Sequence, residues 1–382
     1  MAIEITDKHN CTGCSACYSI CPTSAIEFTP DEEGFFYPTI NAANCIECGL
    51  CEKVCPPLKP NEAPKEQKFY AAINTDSAVR ELSTSGGVFT PFAEEIIKKG
   101  GVVFGVAFND KWLAYHTYAQ TMEEVAKFRV SKYMQSEMGD TFAQIKEFLD
   151  KGRWVLFSGT PCQADGLRRS LRKGYEKLII MDCICYGVPS PRLFTHYLNG
   201  MTGGRSPQSF SFRSKELGWR DFSISYDLDG VNHSHPARKD PFIFSFMKLL
   251  SVRPSCFNCP DKSGRSHADI TIADLWGAEN IIPEIDDNRG CSMIIVNNHK
   301  GQEFLESCLD KIQIFPISET QAIAQNPKYH KSAQEPKSRK NFMAGVIKGL
   351  PMSTLIENFH REQPLWVKIR RRWKKLRHKI FK

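Results

Sequence analysis

The chain lacks any apolar run approaching the ~20 residues that a membrane-spanning helix needs. Its first residues, MAIEITDKHN, carry no basic segment followed by an apolar stretch, so no secretory signal is read there. It contains neither GxGxxG nor GxxxxGK(S/T), which leaves the dinucleotide fingerprint and the phosphate-binding loop unsupported. No segment repeats apart from two runs of cysteine. A broad basic surface is missing too. Of the net charge of +7, residues 368–382 supply nine Lys/Arg and no acid, and the rest carries 41 basic against 43 acidic residues. That balance argues against a nucleic-acid partner. The expectation is a soluble, cytoplasmic protein.

Against this background stand fifteen cysteines. In a long chain kept where thiols stay reduced, regular cysteine spacing points to metal or redox sites rather than disulfides. Cys11, Cys14, Cys17 and Cys21 form C-x2-C-x2-C-x3-C with Pro22 next, and Cys45, Cys48, Cys51 and Cys55 repeat the pattern with Pro56 next. Three closely spaced thiolates hold one face of a cubane, and the fourth, ahead of proline, reaches the other cluster. One 4Fe–4S cluster is therefore assigned to Cys11, Cys14, Cys17 and Cys55, and a second to Cys45, Cys48, Cys51 and Cys21. Structural zinc also uses C-x2-C pairs, but it does not need a triple plus a distant fourth. Residues 25–28 and 35–40 are expected to form a hairpin between the motifs. Residues 1–60 thus read as a two-cluster ferredoxin-like domain. The Pro- and charge-rich stretch that follows, with 61–68 as the linker proper, reads as too polar to pack.

From Phe69 onward, apolar strands alternate with amphipathic helices. The fold class expected is a small α+β ferredoxin-like domain followed by an α/β domain with a mixed sheet. Ser190 and Pro191 mark a helix start, residues 209–236 read as hairpins, and residues 321–364 read as irregular.

Three segments of this body carry chemistry. Ser83–Gly87 lies between a strand and a helix, where small residues let backbone N–H groups approach a phosphate; a plain serine cap with a glycine turn is the alternative. In Ser131–Ser136, Lys132 can meet a phosphate or a flavin ring and Tyr133 can stack on it, a solvated loop being the alternative. Cys162, Cys185, Cys256 and Cys259 can meet at the C-terminal edge of the sheet and hold a third 4Fe–4S cluster, with zinc left open. Cys183, Cys291 and Cys308 read as core residues.

Taken in order, SxSGG, SKYxQS, GTPCQ, CYGVPSP, FRSKELGW, C-x2-C and ADITIADLWG resemble the coenzyme F420 hydrogenase/dehydrogenase beta-subunit family, in a branch with an N-terminal ferredoxin module. The likeness spans roughly residues 1–300. It implies an iron–sulfur flavoprotein binding FAD over residues 69–320, with Cys162, Cys185, Cys256 and Cys259 holding a cluster near the flavin. It also implies that Ser85, Gly86, Gly87, Ser131, Lys132, Tyr133, Gln135, Thr160 and Pro161 lie by FAD or its substrate. The family includes F420-reducing subunits and ferredoxin-dependent reductases, and bacterial relatives occur among genes for surface polysaccharides. Two departures stand out. Tyr186 replaces a histidine common in the family, and Ala273-Asp274 replaces Gly-Asp, so no catalytic acid or base is carried over.

The implied function is a reductase passing electrons from ferredoxin-type clusters through FAD to an organic acceptor, with an electron donor or acceptor protein as partner. The alternative is a non-catalytic electron-transfer subunit. At the end of the chain, Leu365, Trp366, Ile369, Trp373, Leu376 and Ile380 recur every three or four residues among basic ones. Residues 365–382 therefore predict a cationic amphipathic helix, suited to the inner face of a membrane or to an acidic partner surface.

Overall fold

The structure, a computed structural model, describes residues 3–362. In the N-terminal module, Ser15 and Gly49 adopt left-handed backbone (φ 67° and 68°) just before the short helices Ala16–Ile20 and Leu50–Lys53. Each turn folds its cysteine run back on itself. Strands β1 (Ile26–Pro30) and β2 (Phe36–Ile40) pair antiparallel, Ile26 opposite Ile40, as the expected hairpin. The apolar core here is small: Ile3 and Ile26 pack with Cys17, Cys51 and Cys55. A core this small supplies little stability, and natural modules of this kind commonly add a metal or disulfides.

The linker behaves differently from expectation. Several of its polar groups bond to the body while its charged side chains stay exposed. The Asn61 amide donates to Asp165 and to the Arg265 carbonyl (both 2.9 Å), and Arg169 donates to the Lys59 carbonyl (2.7 Å). The Gln67 side chain lies between Asn297 and Tyr329.

The body is built on strands β3 (Lys68–Asn74), β4 (Val102–Phe108), β5 (Ala114–Ala119), β6 (Val155–Gly159), β7 (Leu178–Cys183), β8 (Ser209–Ser214), β9 (Ser223–Leu228), β10 (Val231–Pro236), β11 (Ile270–Asp274), β12 (Ser292–Val296) and β13 (Ile312–Ile317). Eight of them form a mixed sheet in the order β13-β3-β12-β11-β7-β6-β4-β5, whose centre (β11, β7, β6, β4) is parallel. Helices cover both faces. Phe92 and Ile96 of helix Phe89–Lys98 and Phe304 of helix His299–Glu306 pack on Val103, Leu156, Ile179 and Ile294. On the other face, Phe142 and Ile145 of helix Thr141–Asp150 and Leu167 of helix Pro161–Leu171 pack on Phe104, Phe157 and Ile180. Because both faces are buried, the central strands read as continuous apolar runs. Strands β10-β9-β8 make a separate antiparallel sheet. Its core of Phe194, Phe210, Phe212 and Phe242 also receives Phe342 and Leu355.

Those last two residues correct the irregular reading of 321–364. Helix Glu319–Ile323 begins at a Ser318/Gln321 capping box, and helices Arg339–Ile347 and Met352–Glu362 close the second core. The basic segment 365–382 lies outside the described residues.

Candidate functional site

Cys11, Cys14, Cys17 and Cys55 are all buried, whereas in the other group Cys48 is exposed, Cys21 and Cys45 are partly exposed and Cys51 is buried. The buried four sit close together. Burial, then repulsion from Cys55 and Cys11, pushes the Cys14 thiol up to about 12, and Cys17 is raised by burial and by Cys14, Cys11 and Cys55. Thiols this resistant to ionising give up their protons to a cation, which is how metal binding couples to release of protons. The Thr12 hydroxyl meets the Cys14 sulfur, and the hydroxyl of Tyr37, beside Cys11, is buried without a partner. Cys21, Cys45, Cys48 and Cys51 line one cleft together with Ile26 and Ile40. Backbone amides point at sulfur: Ala25 N–H at Cys21 (3.3 Å) and Ile3 N–H at Cys51 (3.4 Å). The fold thus brings together two sets of four, with the fourth cysteine of each run exchanged. Among the described residues, no three His, Cys, Asp or Glu side chains converge as a single-ion site requires. Four buried thiols close enough to repel one another, with the unpartnered Tyr37 hydroxyl beside them, and a second four lining one cleft, fit sulfide-bearing cubanes.

The third set gathers beyond the C-terminal ends of β6 and β7. Cys162 lies in the first turn of helix Pro161–Leu171, behind a Thr160/Gln163 capping box. Cys185 follows β7, and Cys256 and Cys259 belong to the turn at Pro254–Asn258 and its exit. Burial, then Asp261, Cys259 and Cys185, raises the Cys162 thiol, while burial and Cys185 push Cys256 up to about 11. A hydrogen-bond chain holds the Cys162 turn. The Thr160 hydroxyl lies 3.2 Å from Cys162 sulfur and donates to Gln163 Oε1 (3.0 Å); Gln163 donates to Ser136 (3.0 Å), which meets His116 Nδ1 (3.0 Å). Burial holds the His116 imidazole down to about 4, so it is neutral near pH 7. Lys262 donates to the Cys185 carbonyl (2.8 Å). Asp261 and Asp165 meet carboxyl to carboxyl, and burial, then Asp165, raises the Asp261 carboxyl so that the pair shares a proton. Cys291 and Cys308 are core residues. Cys183 is partly exposed and lies beside Cys185.

The two loops of small and polar residues meet each other at the same edge. Ser131 N–H donates to Thr84 Oγ1 (2.8 Å). Ser85 donates its hydroxyl to the Cys291 carbonyl (2.7 Å), and Gly86 N–H donates to Ser292 Oγ (2.9 Å). A Cβ on Gly86 would stand 2.5 Å from the Ala72 carbonyl oxygen, so this glycine serves close packing on the sheet, whereas Gly87 supplies a left-handed turn (φ +81°). Lys132 turns its ammonium onto the carbonyls of Lys127, Arg129 and Val130, and burial lowers it to about 7. The Tyr133 hydroxyl accepts from Arg213 (3.0 Å). Arg213 also forks onto Asp274 (3.0 and 3.2 Å), and Trp219, stacked on Trp276 at 4.7 Å, donates to the same carboxylate. The buried Nε of Arg213 has no acceptor. Lys215 donates to the carbonyls of Arg80, Ser85 and Arg289. Gln135 stands apart from these loops, accepting from Phe36 N–H (3.1 Å) in a cleft of about 280 Å³ between the module and the body. Thr160 and Pro161 belong with the third cysteine set. Tyr186 sets its ring edge on Phe246 (5.6 Å).

His116, Arg213 and Lys215 escape a reading of the sequence by residue type, because their partners come from separate elements. Arg213 and Asp274 are 61 residues apart; the FRSKELGW and ADLWG motifs hold the signal, without its meaning.

Thiols so spaced on a hairpin module, joined to a mixed α/β sheet with further thiols at its parallel edge, define an iron–sulfur protein of ferredoxin-plus-α/β type. Residues 10–57 match the 4Fe-4S dicluster domain, and residues 69–142 and 152–320 match the N-terminal and C-terminal parts of the coenzyme F420 hydrogenase/dehydrogenase beta subunit. The chain belongs to that beta-subunit family, carrying an N-terminal ferredoxin domain. An uncharacterized ferredoxin of Methanocaldococcus jannaschii is 45% identical over 38 residues, 10% of this chain and 49% of that protein, so the match spans about half of that relative. A chain of the xenon-derivatized F420-reducing NiFe hydrogenase complex from Methanosarcina barkeri aligns at 17% identity and a TM-score of 0.47, over 76% of this chain and 91% of that one.

Proposed function

We propose that this iron–sulfur oxidoreductase subunit takes electrons in at its outer cysteine set and passes them inward to FAD held at the loops 83–87 and 131–133, for an organic acceptor. The carrying observation is helix Pro161–Leu171. Its Gly166 is so close to Cys14 that an added Cβ would stand 2.9 Å from the Cys14 Cβ, and Cys162 lies one turn away on the same helix. Bound 4Fe–4S clusters would supply one-electron steps and bound FAD the conversion to two-electron chemistry. The residues that would hold them are Cys21, Cys45, Cys48 and Cys51 at the rim, Cys11, Cys14, Cys17 and Cys55 inside, and Cys162, Cys185, Cys256 and Cys259 in the body. At the proposed flavin loops the buried Arg213 Nε lacks an acceptor and can meet a phosphate or ring oxygen, whereas Lys132 already spends its three N–H groups on backbone carbonyls. The acceptor would be an F420-like cofactor or a metabolite, and surface-polysaccharide synthesis is one setting. One feature favours a second reading, delivery of electrons to a partner enzyme: Ser85, Tyr133 and Lys215 already spend their polar atoms within the protein.

The test is Cys162→Ser with Cys256→Ser in anaerobically reconstituted full-length protein. Loss of about a third of the iron is expected, with the ferredoxin signals retained and flavin reduction blocked. Unchanged flavin reduction would contradict the relay. Clusters without flavin would select the second reading.

A further inference from the structure

Four arginines are buried among the described residues: Arg80, Arg213, Arg253 and Arg339. Three of them pair with a carboxylate, namely Asp287, Asp274 and Glu33. Arg253, at 0% exposure, does not. Its Nε donates to the Cys11 carbonyl (2.8 Å), Nη1 to Gln135 Oε1 (3.1 Å) and Nη2 to Cys11 sulfur (3.5 Å). The Tyr37 ring covers its face at 4.0 Å. A fully buried guanidinium with only neutral oxygens around it is strongly unfavourable. The group in reach that becomes an anion on binding metal is the Cys11 sulfur, together with whatever charge its cysteine set binds.

The two cysteine runs differ at one matching position in a way that bears on this. The residue between the first two cysteines and next to the second is Gly13 in one run and Glu47 in the other, both with left-handed backbone (φ 70° and 51°). A Cβ on Gly13 would stand 2.5 Å from Gln135 Nε2 and 3.0 Å from Arg253 Cζ, so only glycine admits the arginine there. The outer run instead places an exposed acid in the wall of its own cleft. Repeats alike in backbone thus carry opposite charge.

We infer that Arg253 is the charge partner of the inner cluster and that, with Glu47 acting oppositely on the outer one, it makes the inner cluster the easier of the two to reduce. This rests on the proposed assignment of 4Fe–4S clusters to the two sets. Reduction adds one electron from a low-potential donor, with no bond made or broken, and leaves the cluster one unit more negative. A fixed adjacent cation favours that state, and an adjacent anion opposes it. The asymmetry gives electrons a downhill direction from the exposed rim to the buried set, and onward through the turn that carries both Arg253 and Cys256, whose N–H donates to the Arg253 carbonyl (3.0 Å).

The test is a potentiometric titration of the full chain followed by electron paramagnetic resonance, with chemical mediators and dithionite. Arg253→Met should shift the inner cluster at least tenfold toward the oxidised form at fixed potential, about 59 mV for a one-electron couple. The outer cluster should not move, and Arg253→Lys should restore most of the shift. Glu47→Gln should raise the outer midpoint alone. Wild-type protein grown with ¹⁵N-arginine identifies the inner signal without any substitution: nitrogen coupling is expected on the higher-potential cluster, and coupling on the lower one, or none, overturns the inference even if Arg253→Met does not fold. Full iron content with an unmoved midpoint overturns the role of Arg253 alone. Wild-type protein without iron overturns the cluster assignment, and this inference with it.

Discussion

Gly166 offers a substitution whose sign is decided by competition between two effects. It lies within helix Pro161–Leu171, where alanine in place of glycine ordinarily stabilises by about 1 kcal/mol. Here the new Cβ would meet Cys14 Cβ at 2.9 Å, its sulfur at 3.0 Å and its carbonyl at 3.3 Å. Favourable carbon contacts lie near 3.5–4.0 Å, so the module must retreat by roughly 0.5–1 Å. A cysteine held as a ligand, as proposed for Cys14, has little freedom to yield, and overpacking costs typically 1–3 kcal/mol. The net expectation for Gly166→Ala is a loss of up to about 2 kcal/mol, combining both figures. Gly200 is the control: it is an exposed helical glycine with nothing within 4 Å of its Cβ direction, so Gly200→Ala should gain about 0.5–1 kcal/mol. Anaerobic urea unfolding of both variants measures the difference, with proteolysis of residues 1–60 reporting undocking. If Gly166→Ala gains stability as Gly200→Ala does, the module does not rest on this helix as described.

Lys132 predicts a pH dependence. Its folded value, about 7, lies below the ordinary 10.5, so between these values unfolding takes up a proton. Stability should therefore rise as pH increases from 7 toward 10.5, and the contribution should level off below 7, where both states are protonated. Urea midpoints of flavin-free wild type at pH 7 and 9, compared with Lys132→Met, measure this, and a constant difference between the two proteins contradicts it. The basic segment predicts binding to anionic lipid. Full-length protein should float with acidic vesicles while a chain truncated at Pro364 should not, and equal flotation refutes the lipid role.

What the sequence disclosed follows from the range of the interactions involved. The ferredoxin motifs were legible because a cubane imposes a local spacing on its ligands, and the hairpin between them follows from alternation. The central strands were legible as apolar runs because both faces of the sheet are covered. Strand β13 was not, since Ile312–Ile317 contains Pro316 and alternates in burial, as an edge strand tolerates. Helices Arg339–Ile347 and Met352–Glu362 hid because the second aromatic core they close is assembled from distant segments. At the candidate site, Cys162, Cys185, Cys256 and Cys259 could be grouped only by supposing a common sheet edge. Arg253, reaching Cys11 across 242 positions of chain, left no local trace at all. Gln135 illustrates the converse: its motif placed it with the loops proposed to hold flavin, while its amide serves the seam between module and body.

The most direct test of the central claim is anaerobic extraction of the full-length protein with iron, sulfide and flavin counted together. The account predicts brown protein with about twelve irons, matching sulfide and one FAD per chain. Colourless protein holding zinc, or eight irons with no flavin, would contradict it.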